Sequence, residues 1–522
     1  MKNRFKNSIL LSAIGDALGW ITEFEKSVDS IENKYDKSTI DSFYSWEKYV
    51  GGRFNGYLDK IKAGSYSDDT QLLLSVARSI KPDGSLDNYY FSKIELPAWL
   101  LYARGAGRTI KNAARKIERK SAQWNSNFFT YKAGKTTLDY KDSGANGAAM
   151  RILPIALANH KKEEKIKEQI FANSIVTHGH PRAIAGAILY GIAITYLLKT
   201  ELKNFKHEDF LSEIGKNIER KFELSFLYKN EYLSWLHEWN KNSICKFEEV
   251  YETTVNEILN YLREIYRVLK DSIDTKLALQ SFGCYSPATK GSGVSTVVAG
   301  IYLACKFYDK PETAIISAVN SIGTDTDSIA AFTGGLIGAL YSENIIPEKW
   351  APIQDAAYLE KMAKKLYLIS CRELKTEKPH FIANNKLKVI EIESDEYNFK
   401  DEFIFNPLGK GVVKNIDRQK TLTSGKYNLI LDVEFDIGQT CRFSKLLDIE
   451  KNDAAKMKDR ITKDKNGQLV TACIVQLADC ADFKGCAFNR LCSGLTVSCF
   501  ESPTDTIHVT VTSKPKKKTT TQ

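Results

Sequence analysis

Apolar residues recur at helical spacing through the first three quarters of the chain. LLLSVARSI (72–80), IFANSIVTH (170–178), AIAGAILYGIAITYLLK (183–199), VVAGIYLACKF (297–307) and IAAFTGGLIGALY (329–341) are apolar on one face or throughout. That is the pattern of helices that bury a stripe or lie wholly inside a core. Several carry Gly and Ala among their apolar positions, as helices packed closely against neighbours do. Residues 203–280 are charged and aromatic, and their second part, FEEVYETTVNEILNYLREIYRVL, has a strong amphipathic period. They predict a helical insertion that serves as packing material or an interface. From about residue 385 the texture changes to LKVIEIE, FIFN, GVVKNI, YNLILDVEFDI, QLVTACIVQLA, GLTVSCFE and TIHVTVTS. These runs are short, β-branched and often alternating, divided by Gly, Pro, Asn and Asp, and read as strands. The pattern predicts an all-α domain over 1–380, a smaller β-rich domain over 386–512 and a disordered basic tail over 513–522.

Length and composition fit that division. At 522 residues the chain is too long for one ordinary domain and suggests two or three. Apolar residues at 43% and charged residues at 26% exclude wholesale disorder, collagen and coiled coil. No stretch of 18 uncharged apolar residues occurs, which predicts that the chain does not span a membrane. The opening MKNRFKNSILLSAIGDALGW imitates a signal peptide, but Asp16 cuts its apolar run and no small-residue cleavage site follows. It reads as the first helix of a mature cytoplasmic protein. The net charge of +10, from 74 basic and 64 acidic residues, is diffuse. Residues 381–522 hold 22 basic and 19 acidic side chains, with four lysines in the tail KPKKK (Lys514, Lys516, Lys517, Lys518). No basic stripe results, so nucleic acid is a weakly supported partner. None of the ten cysteines forms a CxxC pair, and they read as reduced, buried thiols.

Two acidic clusters stand directly before apolar helices. Ser67-Asp68-Asp69-Thr70 precedes the helix from Gln71, and Gly323-Thr324-Asp325-Thr326-Asp327-Ser328 precedes IAAFTGGLIGA. Each alone fits a capped helix start with acidic residues toward the dipole. Together they offer hard oxygen ligands suited to Mg²⁺, Mn²⁺ or Ca²⁺. Asp325 and Asp327 are two apart, so a turn rather than a helix would aim both at one target. If the two loops meet, their mutual repulsion calls for cations, and a two-metal site answers it. Arg104-Gly105-Ala106-Gly107-Arg108-Thr109 and Asn146-Gly147-Ala148-Ala149-Met150-Arg151 leave backbone N–H groups free to approach a phosphate, though Gly-Ala also serves close helix packing. Thr177-His178-Gly179-His180-Pro181 places two imidazoles before a helix, as metal ligands or as structural residues.

Taken in order, Gly15-Asp16-Ala17-Leu18-Gly19 with Glu23 and Phe24, Ser67–Thr70, Gly105–Thr109, Asn146–Arg151, Thr177–Pro181 and Gly323–Ser328 resemble the ADP-ribosylglycohydrolases. That group includes dinitrogenase-reductase-activating glycohydrolase and the ADP-ribosyl-acceptor hydrolases. The resemblance spans about residues 5–365, ends in IGALYSENIIPEKW and excludes the β-rich end. It implies a compact all-α fold around a binuclear Mg²⁺ or Mn²⁺ centre. The family's Thr-Asp-Asp motif maps onto Ser67, Asp68 and Asp69, and its Asp-x-Asp-Thr motif onto Asp325, Asp327 and Ser328. Serine stands for threonine in both and keeps the hydroxyl oxygen. Glu23 falls where some members carry a carboxylate that acts in catalysis or gates the metal. Gly105, Gly107, Arg108, Gly147, Ala148, Met150 and His180 match the region that holds ADP-ribose.

The implied activity is hydrolysis of the bond at the anomeric ribose carbon of a mono-ADP-ribosylated acceptor. Carboxylates stabilise the oxocarbenium character of that reaction, with Glu23 as acid or base and Asp68 and Asp69 in the catalytic centre. The partner would be an ADP-ribosylated protein or other acceptor. A non-catalytic ADP-ribose-binding relative is the alternative, but all four acidic ligand positions are filled. A nucleic-acid-directed enzyme recruited by the C-terminal domain is another. The preferred reading of that domain is a cover for a helical face or a contact between copies.

Overall fold

The first helix, Lys2–Thr22, and the helix Thr326–Leu340 lie antiparallel and touch through their backbones. A Cβ at Gly15 would stand 2.2 Å from the Ala330 carbonyl oxygen, and one at Gly334 would stand 2.1 Å from that of Leu11. Glycine alone permits this approach. The contact continues at the site end, where Thr326 Oγ1 donates to the Gly19 carbonyl (2.8 Å) and Thr22 Oγ1 donates to Thr326 Oγ1 (3.1 Å). The C-terminus of one helix is thereby fixed beside the N-terminus of the other. In this computed structural model the described residues are 1–374 and 397–448, with the backbone of strands Ile461–Lys463, Leu469–Gln476, Leu495–Glu501 and Thr506–Ser513.

Around this pair stand the helices the hydrophobic pattern predicts. Pro181–Lys199 starts with Pro in its first turn and His180 as cap, a favoured helix opening. It crosses Gly293–Lys306 where Gly186 meets Gly293, again with no room for a Cβ. Its length and hydropathy would let it cross a membrane, but 89% of that window is buried inside the protein. Within the 203–280 insertion, Phe247–Lys270 buries Phe247, Tyr251, Val255, Ile258, Leu262, Ile265 and Val268 along one stripe, as its amphipathic period demands.

Strands are more numerous in the first part than the sequence pattern suggests. Trp46–Val50 pairs with Tyr57–Ile61, and Thr130–Ala133 pairs antiparallel with Thr136–Asp139. Such short hairpins close through local turns and need no long apolar run.

The all-α part is followed by β structure, as expected. Glu402–Phe405, Gly409–Lys420, Lys426–Phe435 and Thr440–Asp448 form one four-stranded sheet in chain order. Its first pair is antiparallel, with Glu402 opposite Val412. The four later strands form a second antiparallel sheet, in which Thr506–Ser513 lies between Leu495–Glu501 and Leu469–Gln476. The chain divides into two compact units. The larger comprises residues 1–49, 58–416 and 430–444; the smaller comprises 50–57, 417–429 and 445–522. The larger unit thus takes in strand segments that the sequence reading assigns to a separate β-rich domain. Within it Phe403, Phe405, Phe435 and Phe443 pack into a cluster that also contacts Tyr102.

Cys245, Cys284, Cys305, Cys371 and Cys441 are free thiols. Cys473, Cys480, Cys486, Cys492 and Cys499 have side chains outside the described residues, as does the tail beyond Ser513.

Candidate active site

The turn before Asp68–Arg78 is held by a carboxylate on the first helix. Asp16, fully buried, accepts hydrogen bonds from Ser67 N (3.0 Å), Thr70 N (3.0 Å) and Thr70 Oγ1 (2.6 Å). These donors include backbone groups that a helix start leaves without intrahelical partners. Ser67 caps the same helix by accepting from Asp69 N (3.3 Å). The Ser67–Thr70 cluster thus caps a helix, with Asp68 and Asp69 buried in its first turn.

The second acidic loop meets the first. Ser328 Oγ donates to Asp69 Oδ2 (2.8 Å) across 259 positions of sequence. Asp325 precedes the helix Thr326–Leu340, and Asp327 lies in its first turn, with Oδ1 accepting from Ser328 N (2.8 Å). Carboxylate oxygens of Glu23, Asp325 and Asp327 lie within 4.8 Å of one another. Glu23 reaches this cluster because it directly follows the first helix, at the end brought against Thr326. Asn146 Nδ2 donates to Asp325 Oδ2 (2.8 Å), and Asn146 N donates to the Gly291 carbonyl (2.9 Å). Gly291 has φ +73°, and a Cβ there would stand 2.9 Å from Asp325 Oδ2.

The electrostatics show how poorly this cluster tolerates its own charge. Burial, then the charge of Asp325, pushes the Glu23 carboxyl up to about 8. Burial, then Asp16, pushes Asp68 up to about 7. Asp69 and Asp327 are raised well above the ordinary carboxylate range, chiefly by burial and then by neighbouring carboxylates. Crowded oxygen donors with these properties fit a hard divalent cation. Lys48 and Lys111 also border the cluster, and burial lowers both ammonium groups despite the carboxylates nearby. Lys48 further lies 3.3 Å from the centroid of the Phe24 ring.

The expected substrate residues divide into exposed and buried sets. Gly105, with φ +89°, sits against Asp68: a Cβ there would be 2.9 Å from Asp68 Oδ1 and 3.3 Å from Trp20 Nε1. Gly107 and Arg108 are exposed at the start of the helix Arg108–Lys116. Gly147 lies under the His178 ring, while Ala148 and Met150 are buried side chains of the core. Arg151, completely buried, donates to the Gly147 carbonyl (2.7 Å), the Asn173 carbonyl (2.8 Å) and Thr177 Oγ1 (2.9 Å), and so braces the segment that carries Asn146. His178 is held neutral by burial, its pKa pushed down to about 3, with Nδ1 paired to Thr177 Oγ1 (2.7 Å). His180 caps Pro181–Lys199 by accepting from Arg182 N at Nδ1 (3.0 Å).

Asp16, Asn146, Lys48 and Lys111 are the neighbours that motif reasoning does not assign to the site. Asp16 and Asn146 stand inside the quoted motifs, so a signal existed. For the two lysines none did.

Carboxylates from three helix ends thus gather into one cluster beside the Ser328 hydroxyl. The profile of ADP-ribosylglycohydrolase matches residues 1–374, and the chain belongs to that family of glycosidic-bond hydrolases. An uncharacterized protein of Archaeoglobus fulgidus is 27% identical over 72% of this chain and 99% of its own length. The ADP-ribosylhydrolase ARH3 of Xenopus tropicalis is 25% identical over 72% of this chain and 97% of that protein. An ADP-ribosyl-(dinitrogen reductase) glycohydrolase of Rhodospirillum rubrum is 29% identical over 38% of this chain and 58% of that protein.

Proposed function

We propose that this enzyme releases ADP-ribose from a mono-ADP-ribosylated protein by hydrolysis at the anomeric ribose carbon, with two Mg²⁺ or Mn²⁺ ions at the acidic cluster. The observation that carries the reading is the convergence of Glu23, Asp325 and Asp327 within 4.8 Å, joined to Asp69 through Ser328. Asp68, Asp69, Asp325 and Asp327 would hold the ions, with Ser67 and Ser328 completing the oxygen shells. Bound there, the ions would supply Lewis acidity and offset part of the cluster's negative charge, Glu23 remaining outside their shells.

The chain's own groups do the rest. Gly107 and Arg108 are exposed at a helix start, where backbone N–H groups would bind the diphosphate. The carboxylate cluster stabilises positive charge developing on the ribose ring as the acceptor leaves. Glu23, whose carboxylate lies beside Asp325 and Asp327, would hold or release a proton at the reacting bond. Phe24, 46% exposed and next in sequence, offers an aromatic face beside it.

The name of the R. rubrum protein, which carries dinitrogen reductase, supports an ADP-ribosylated protein as substrate, and that of the X. tropicalis protein supports hydrolysis of an ADP-ribosyl bond. The test is a panel of arginine-, serine- and nucleic-acid-linked mono-ADP-ribose, each assayed with Mg²⁺ or Mn²⁺. Release of free ADP-ribose from a protein-linked member is expected. Release from the nucleic-acid member alone would overturn the protein assignment, and release from none would overturn the activity.

A further inference from the structure

The substrate loop does not stand on the helices alone. Arg104, immediately before Gly105, forks onto Asp59, with Nε and Nη2 each 3.1 Å from its oxygens. The same carboxylate receives a second guanidinium: Arg442 Nη1 donates to Asp59 Oδ1 at 2.7 Å. Arg442 lies in the strand Thr440–Asp448, beyond residue 374 where the family match ends. It is itself held by Asp432, through Nε to Oδ1 (2.6 Å) and Nη2 to Oδ2 (2.9 Å). All four residues belong to the larger compact unit and are largely shielded from water. Two guanidinium groups and two carboxylates balance, which is the condition for burying such charges without a large penalty.

From Arg104 the chain of contacts runs into the site. Its guanidinium stands 5.4 Å from the Trp20 ring, and its backbone N donates to Gln71 Oε1 (3.2 Å). Gly105 then lies against both Trp20 and Asp68. The strand segment has two further anchors beside the same helix. Gln439 Oε1 accepts from Arg78 Nη1 (2.6 Å) at the far end of Asp68–Arg78. Thr440 N donates to Asp355 Oδ2 (3.0 Å), which also accepts from Tyr66 Oη (2.6 Å), one residue before Ser67.

We infer that Arg442 is a positioning residue: through Asp59 it fixes Arg104, and thereby the approach of the Gly105–Arg108 loop to substrate. The segment 439–442 is thus part of the catalytic unit and completes it from outside residues 1–374 of the family match. The inference rests on the reading of Gly105–Arg108 as the substrate loop. It assigns no chemistry to Arg442, which touches no reacting group.

The test uses the full chain with the paired substitution Asp432→Asn plus Arg442→Met, which removes one charge of each sign and leaves Asp59–Arg104 intact. Two quantities are read well below the melting temperature: hydrogen exchange of the Arg104 amide, and KM against kcat for ADP-ribose release. Exchange at the Arg104 amide, which donates to Gln71 Oε1, is expected to rise at least tenfold while amides of the core helix Pro181–Lys199 keep their protection. KM is expected to rise about tenfold with kcat within threefold. Arg442→Lys, which keeps the charge but loses the fork, is expected to fall between the two. Wild-type exchange at the Arg104 amide in a folded double variant would overturn the inference. Raised exchange with unchanged KM would leave the anchoring intact but sink the substrate role of the loop. Exchange is measured without turnover, so an inactive wild-type protein would refute the activity and not this mechanical link.

Discussion

Asp327→Asn is expected to lower the rate of ADP-ribose release by roughly a thousandfold and, in the absence of divalent cation, to raise the melting temperature. Asp327 is buried among carboxylates, and its own carboxyl is raised well above its ordinary range by burial and by Glu23, Asp325 and Asp69. Asparagine keeps the Oδ1 that accepts from Ser328 N, so the helix start is preserved. It removes one negative oxygen from the proposed cation site and one source of repulsion among the carboxylates when no cation is added. Loss of cation-based charge stabilisation amounts to several kcal/mol, and about 4 kcal/mol corresponds to three powers of ten in rate. The two effects have opposite signs, which separates this variant from one that merely misfolds. Wild-type turnover with saturating Mg²⁺ or Mn²⁺ would remove Asp327 from the site.

Asp16→Ala should be the most destabilising single change near the site, by about 3–5 kcal/mol in denaturant unfolding. The substitution strands Ser67 N, Thr70 N and the Thr70 hydroxyl in a fully buried position, and each orphaned group costs about 1–3 kcal/mol. Part of that is offset because burying the Asp16 carboxylate is itself unfavourable, as its raised pKa records. Asp16→Asn keeps the volume and one acceptor, so a smaller loss is expected. Because the lost bonds orient Ser67–Thr70, activity should fall even in Asp16→Ala protein that remains folded in the cold. An unchanged unfolding midpoint would show that the turn is held by something else.

The legible part of this protein was the part written in local pattern. Helices announce themselves by spacing, and both acidic clusters stand at helix starts where a cap and a ligand share the same residue types. That they converge was legible only through the ordered set of motifs, since Ser328 and Asp69 are 259 positions apart. The glycines were visible as small residues, but their partners were not: nothing in Gly15 or Gly334 alone says which backbone each will touch. The histidine pair had two readings, and the fold shows a neutral buried imidazole at His178 and a helix cap at His180. Ala148 and Met150 fell inside a functional-looking motif yet pack as core. The hairpin that carries Lys48 is five residues on each strand, too short to stand out in a helical background. Arg442 was least legible, because its partner Asp59 is 383 positions away and a lone arginine on a strand has no signature.

The central claim is that the buried carboxylates work only with divalent cations. Its most direct test is single-turnover release of ADP-ribose from a mono-ADP-ribosylated protein, in excess chelator and again after returning Mg²⁺ or Mn²⁺. Release should stop in chelator and recover when the cation is restored. Undiminished release in chelator would contradict the account.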